Sequence, residues 1–510
     1  MRLMSRKRYR QRQRCRRRTR DRGLVALAAK RENLPSQKDD NYQVVRGISR
    51  PGLPEDILRH IHAQMTLRDA ARAACASHLF RHSWKCRPNL TFSSETLGLT
   101  RNESRDVITR DVITKIDKIL QNHSGIGVKT LKLDLVNCDN IDFSYFDSWL
   151  RIAVTPGIEE LVLSLPLPSI SVYNFPCSLL SNGSGNSIQY LKLCHCTLRP
   201  TVGVGCLRSL TRLHMFCIQI TGDELWCLIS NSFSLVRLDL WDCNEIISLK
   251  IPSLPRFRFL DVAGCDSLQI VESNAPNLSN FYFSGYLCQI SLGGSLQVKT
   301  LRIICSHQAN IVCYARHNLL SIAPNVETLT ISSSSEMVNT PILSGKFLHL
   351  KDLQISLVGM AAYDYFSLVS FLDASPHLEN FVLAIPQHRM EHDLILGGPR
   401  QIPEQRYDKL KNVKISGFCS VKSLVELTCH ILENTTSLDC LTLDTTRHPT
   451  LKCSVTKSGK CFPLVDRGSL VEAQKALLAI RRYVVGKVPS TVKLNILEPC
   501  SRCHAVEPLV

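Results

Sequence analysis

Nowhere in this 510-residue chain does an apolar run approach the roughly 20 residues that a membrane helix requires, so a spanning helix is not expected. The amino terminus lacks the apolar core of a secretory leader, which makes a reducing compartment, nucleus and/or cytoplasm, the expectation. The 22 cysteines then read as thiols and not as a disulfide framework. Charged residues are only 21% of the chain against 44% hydrophobic, a balance that excludes a mostly unfolded polymer. Catalytic devices are missing too: there is no phosphate-binding glycine loop, no H-E-x-x-H helix and no G-x-S-x-G elbow. No catalytic residue, metal ligand or cofactor is nominated, and the reading is of a non-enzyme.

The charge that is present is unevenly placed. Twelve basic residues lie within 1–22 against a single acid, Asp21, so the arm carries +11 of the net +18. Arg6, Lys7, Arg8, Arg16, Arg17 and Arg18 form two basic clusters, and such a run repels itself into a solvated arm. It is a candidate nuclear-import signal, or an extension without function. Phosphate binding ranks below both, because Tyr9 is its one aromatic and offers little for base stacking.

From Val128 onward a pattern starts and does not stop: an apolar residue, another three on, and a third two further. It runs from Val128/Leu131/Leu133 to Leu438/Leu441/Leu443 in thirteen occurrences, offset by 20 to 32 residues. Leucine-rich repeats follow this template, with asparagine or cysteine closing the turn; Cys196, Cys243 and Cys265 stand at that position. The i, i+2 pair points to one face of a short strand, and a unit that cannot bury its face alone stacks on its neighbours. The expected fold is an α/β solenoid, a leucine-rich-repeat horseshoe with a parallel concave sheet and uneven convex segments, some helical and some loop. Small thiols at the crowded turn fit as core residues.

Ahead of the array, Leu53-Pro54-Glu55-Asp56 reads as a helix start. Ile57, Leu58 and Ile61 make an apolar stripe, Thr66 with Asp69 reads as a capping pair, and Leu67 to Ser77 is alanine-rich before Phe80 and Trp84. About forty residues bury too little to stand alone, so a partner surface is expected to complete them. Ile108, Val112, Ile116, Ile119 and Leu120 then keep a helical period in a bridging helix.

This head resembles an F-box: Leu53-Pro54-x-x-Ile57-Leu58-x-x-Ile61, Leu67-x-Asp69-Ala70-Ala71 and Ser77…Phe80…Trp84 match that family in order and spacing. Plant relatives often carry proline where Thr66 stands. Leu410–Phe418 with Glu426-Leu427 and Leu432-Glu433-Asn434 resembles the FBD region that closes many plant F-box/leucine-rich-repeat proteins. The resemblance implies a small all-α F-box-like module ahead of the solenoid. It implies docking on a Skp-type adaptor, and through it a cullin–RING ubiquitin ligase, by Leu53, Pro54, Ile57, Leu58, Ile61 and Leu67, with an unknown target protein on the repeats. A non-catalytic repeat scaffold without ubiquitin transfer stays open as the alternative.

The expected organisation is a basic arm and linker (1–50), an F-box-like module (51–92), a bridging helix (93–127), repeats (128–404), last repeats with the FBD-like region (405–500) and a tail (501–510). Polar loops are expected over Ser332–Pro341, Pro386–Arg406 and Arg447–Gly468. Ser469 with Glu472 is expected to cap a helix, and Val492, Leu494 and Ile496 to form a last strand. Cys500-Ser501-Arg502-Cys503-His504 matches C-x-x-C-H by chance in a cysteine-rich chain. Cys194-His195-Cys196, expected to alternate across a strand, is a poor partner for it in a zinc site, since four convergent ligands are needed. His388 and His392 read as solvated loop residues.

Overall fold

The computed structural model describes residues 54–99, 104–124, 127–167, 171–181, 183–200, 207–293, 297–358, 363–385, 405–446 and 467–499. The basic arm with its import candidates, Leu53, His388, His392 and the Cys500–His504 motif lie outside them.

Three helices open the described chain: α1 (Glu55–Gln64), α2 (Leu67–Ala76) and α3 (His78–Lys85). Pro54 is the N-cap of α1, one position ahead of the place its sequence suggests, and Thr66 caps α2 by accepting from Asp69 N at 3.2 Å. The α4 helix (Arg105–Gln121) is the bridging helix, with Ile108, Val112, Ile116 and Leu120 buried.

The array is one parallel sheet of fifteen strands paired in chain order. They are β1 (Asn89–Ser93), β2 (Thr130–Asp134), β3 (Glu160–Ser164), β4 (Tyr190–Cys194), β5 (Arg212–Phe216), β6 (Arg237–Trp241), β7 (Phe259–Ala263) and β8 (Asn280–Ser284). The sheet continues with β9 (Thr300–Ala309), β10 (Thr328–Ser335), β11 (Asp352–Leu357), β12 (Asn380–Ala384), β13 (Asn412–Ser416), β14 (Cys440–Asp444) and β15 (Lys493–Leu497). All thirteen triplets place their i, i+2 pair on β2 to β14, in register from strand to strand: Leu131 faces Leu161, Leu260 faces Phe281 and Ile415 faces Leu443. These side chains and the leading residues of each triplet are buried. Parallel pairing of stacked units explains this, because each unit covers its neighbour's apolar edge.

The sheet begins earlier than the first triplet. Leu90 and Phe92 on β1 pair with Leu131 and Leu133, so the array starts inside the stretch assigned to the head and α4 belongs to its first unit. The leading position there is held by Arg87, buried at 5% exposure, and a cation breaks the apolar template that the thirteen triplets obey. At the other end Leu494 and Ile496 pair with Leu441 and Leu443. The FBD-like region is thus a continuation of the same sheet.

Two expectations about loops are corrected. Ser332–Ser335 is not loop but the end of β10, held by Ser333 and Ser334 hydroxyls donating to the Gln308 carbonyl at 3.4 and 2.6 Å. Glu336 follows at 1% exposure, its carboxylate accepting from Val312 N and Cys313 N at the start of the Ile311–Ile322 helix. A carboxylate there answers the orphan amides and the helix dipole. The last helix starts at Arg467 and not after Ser469. Most of the other two loops lies outside the described residues.

Convex segments follow unit length. Longer units carry helices such as Phe143–Ala153, Gly222–Ile229 and Lys422–Asn434, whereas Ser248–Ile251, Ile270–Ser273 and Gln289–Ser291 form a second parallel sheet under the shortest units. About twenty residues leave no room for a helix beside a strand and two turns. Cys243 and Cys265 sit buried at the turn, near the carbonyls of Trp241 at 3.5 Å and Leu240 at 3.8 Å. One residue before that position the backbone is left-handed: φ is 61° at His195, 51° at Cys217, 56° at Asp242 and 68° at Gly264. The alternation expected for Cys194-His195-Cys196 therefore fails at His195, where the chain turns and Nδ1 faces the Leu165 carbonyl at 2.8 Å.

Candidate functional site

The head offers the first candidate surface. On α1 an offset of one residue is about 100° of rotation, and it divides the stripe in two. Leu58 and His62 turn inward at 8% and 1% exposure, while Ile57 and Ile61 stay exposed at 43% and 37%. Pro54, also exposed, lies three residues before Ile57 and so on the same side. Leu67 is buried in the core at the start of α2. Of the six residues nominated for the adaptor face, Pro54, Ile57 and Ile61 present surface, Leu58 and Leu67 pack internally, and Leu53 lies outside the described residues.

His62, which no sequence pattern singled out, organises the interior. Its Nε2 lies 3.0 Å from the Ala70 carbonyl, and its ring stacks on Phe80 at 5.4 Å and meets Trp84 edge-on at 6.1 Å. Thr66 also donates its hydroxyl to Asp69 Oδ2 at 2.8 Å, so the residue standing where relatives carry proline keeps a formed entrance to α2.

The second surface is the open face of the sheet, made by the side chains that alternate with the buried pairs. Its centre is charged and aromatic. Arg237 on β6 grips Asp239 through Nε and Nη2, both at 2.8 Å, and lies 3.8 Å over the Phe259 ring. His214 Nδ1 is 3.5 Å from Asp239 Oδ2, its ring 5.0 Å from Trp241; Phe259 meets Tyr282 at 4.8 Å. Burial pushes the Asp239 carboxyl up, but hydrogen bonds from His214 and Arg237 outweigh it and hold the group below its usual range. Asp261 beside it is raised, first by burial and then by the charge of Asp239. This patch went unseen because alternate strand positions carry no template of their own. Among the described residues no group of three or more His, Cys, Asp or Glu side chains converges to hold a metal ion, and no helix is long and apolar enough to cross a membrane.

The family described as At1g61320/AtMIF1, LRR domain, matches residues 119–501, most of the chain. The protein belongs to the At1g61320/AtMIF1 leucine-rich-repeat domain family. Within Arabidopsis thaliana it is similar to "FBD-associated F-box protein At1g61320", 24% identical over 66% of this chain and 74% of the relative. It is also similar to "Putative F-box/FBD/LRR-repeat protein At3g49040", 24% identical over 79% and 90%, and to "F-box/FBD/LRR-repeat protein At1g13570", 22% identical over 77% and 89%. For this member of the At1g61320/AtMIF1 family the resemblances to F-box, leucine-rich-repeat and FBD regions agree with the parts those names list.

Proposed function

We propose that the chain is the substrate-recognition subunit of a Skp–cullin–F-box ubiquitin ligase. The observation that carries the reading is the pair Ile57 and Ile61, left exposed on α1 although the head packs Leu67 and Trp84 into the core of the array. Burying two isoleucines against an adaptor contributes about 3 kcal/mol. The open face holds the target protein, and the chain does no chemistry; a target held beside a recruited conjugating enzyme gains effective concentration. The capped start of α2 at Thr66 supports a working head. The basic arm, with Arg6, Lys7, Arg8, Arg16, Arg17 and Arg18, serves nuclear import in this reading.

The test is co-purification of the full chain with a Skp-type adaptor. Wild type is retained, and Ile57→Asp with Ile61→Asp loses about tenfold or more. Equal retention of a folded double variant, or none of the wild type, overturns the reading. Adaptor binding without loss of any target on proteasomal turnover assigns the chain instead as an interaction scaffold.

A further inference from the structure

We infer that the open face between β4 and β9 is a track for an extended peptide segment of a partner protein, with carboxylates at two points and apolar side chains between them. This rests on the receptor reading only in naming the partner as the target.

Charge satisfaction on the face carries the argument. Asp239 is closed by Arg237 and His214, so that arginine has no charge left to offer. Lys192 on β4 and Arg212 on β5 make no ion pair or hydrogen bond among the described residues, and Arg212 is exposed. The strands pair Lys192 with His214 and Tyr190 with Arg212, which sets the two cations on adjacent strands at one end of the track. At the other end Arg302 on β9 is half-buried and makes no ion pair or hydrogen bond among the described residues, its one charged neighbour being Asp261, whose carboxyl it draws down without closing it. The available charge is therefore positive at both ends. Between them lie the half-buried rings of Trp241, Phe259 and Tyr282, with the Arg237 guanidinium over Phe259 and the Asp239 and Asp261 carboxylates set among them. Towards β2 the character changes, since Lys132 is taken by Glu160 at 2.6 Å and Asp134 is exposed. There the track stops.

The spacing sets the ligand. From β5 to β9 are four strand steps of about 4.8 Å, or about 19 Å, which an extended peptide at about 3.4 Å per residue crosses in roughly six residues. Two carboxylates that far apart reach Arg212 with Lys192, and Arg302, while the residues between them stack on the rings. A hydroxyl or amide side chain suits the position over Asp261. A continuous polyanion such as single-stranded RNA would lay phosphates over Asp239 and Asp261, so discrete carboxylates fit better.

The experiment uses the full chain and fluorescence anisotropy with three labelled probes. One is a peptide of about ten residues with two glutamates roughly six apart and Phe, Ser and Leu between them; the second has lysines for the glutamates; the third is an oligouridylate of similar length. The glutamate peptide binds, weakens in high salt and outcompetes both others. Lys192→Glu with Arg212→Glu weakens it about tenfold or more, and Arg302→Gln also weakens it, whereas Lys250→Glu on the convex side does not. Lys192→Met with Arg212→Gln, which removes charge without reversing it, gives the same direction should the reversal misfold. No binding of the glutamate peptide, equal binding of the lysine peptide, indifference to Lys192 and Arg212, or tighter binding of the RNA overturns the proposal. Adaptor co-purification is unchanged in these variants, so failure of the track and failure of the receptor reading are separate results.

Discussion

Arg87 Nη1 donates to the carbonyl oxygen of His62 at 2.9 Å, joining the first unit of the array to the first helix of the head. The same guanidinium donates from Nε to the Asn89 carbonyl at 3.0 Å and from Nη2 to the Met65 carbonyl. Burial lowers its pKa, and the carbonyls are what make a cation tolerable there. Head and sheet therefore share one buried charge.

Replacing Arg87 with alanine removes the side-chain donor from the carbonyls of Met65, Asn89 and His62, of which His62 keeps only the Met65 N–H at 3.3 Å. The expected cost is about 3 kcal/mol, concentrated in the head. Hydrogen exchange measures it: amides of α1 to α3 lose protection while those of β6 to β12 do not.

Gly264 stands at φ 68°, and a β-carbon there would collide with Asp242 Oδ1. Gly264→Ala should lower stability by about 2 kcal/mol, read from the urea midpoint. Gly285→Ala, one unit on and with its nearest neighbours at 3.9 Å, serves as the tolerant control.

Asp242 titrates near 6, raised by burial and then by the charge of Asp266. Its folded pKa exceeds the unfolded value of about 3.9, so the folded state binds more protons and the stability tied to this group falls as pH rises from about 4 to about 6. Asp242→Asn removes that dependence and keeps a residue tolerant of left-handed backbone. The variant should be more stable than wild type at pH 7 by about 2 kcal/mol and lose the advantage near pH 4, as thermal melts across that range will report.

Glu327 lies between Lys299 at 3.0 Å and Lys351 at 3.1 Å, whose hydrogen bonds hold its carboxyl below the usual range. Its contribution is present above the unfolded pKa and is lost as pH falls through the folded one. Because the site is partly open to water, Glu327→Gln should cost no more than about 1 kcal/mol. Urea melts in low salt show that cost, and high salt should shrink the difference from wild type.

The array was legible because burial under a parallel sheet imposes the same two apolar residues unit after unit, and the i, i+2 pair of every triplet from Leu131 to Leu443 landed on a strand. What escaped were places where polar groups do the work of apolar ones. Arg87 replaces the leading aliphatic of the first unit by hydrogen-bonding carbonyls, and Ser332 to Ser335 extend β10 with hydroxyls that satisfy the backbone. Neither leaves a mark in hydrophobic periodicity. In the head, the stripe Ile57, Leu58 and Ile61 was visible, but which face turns outward depends on His62, and a lone histidine gives no sign of direction. The patch around Asp239 is invisible for a different reason: side chains on the open face answer to a ligand, and no internal rule constrains them.

At the position after each leading residue, Lys299, Glu327, Lys351, Glu379 and Lys411 follow one another, with Lys411 also 2.8 Å from Glu379. Signs alternate from one coil to the next. A chain that skipped a coil while winding up would bring lysine against lysine or glutamate against glutamate along this edge, so the ladder works as a parity check on assembly, disfavouring a stack short by one turn by about as much as it strengthens the correct one.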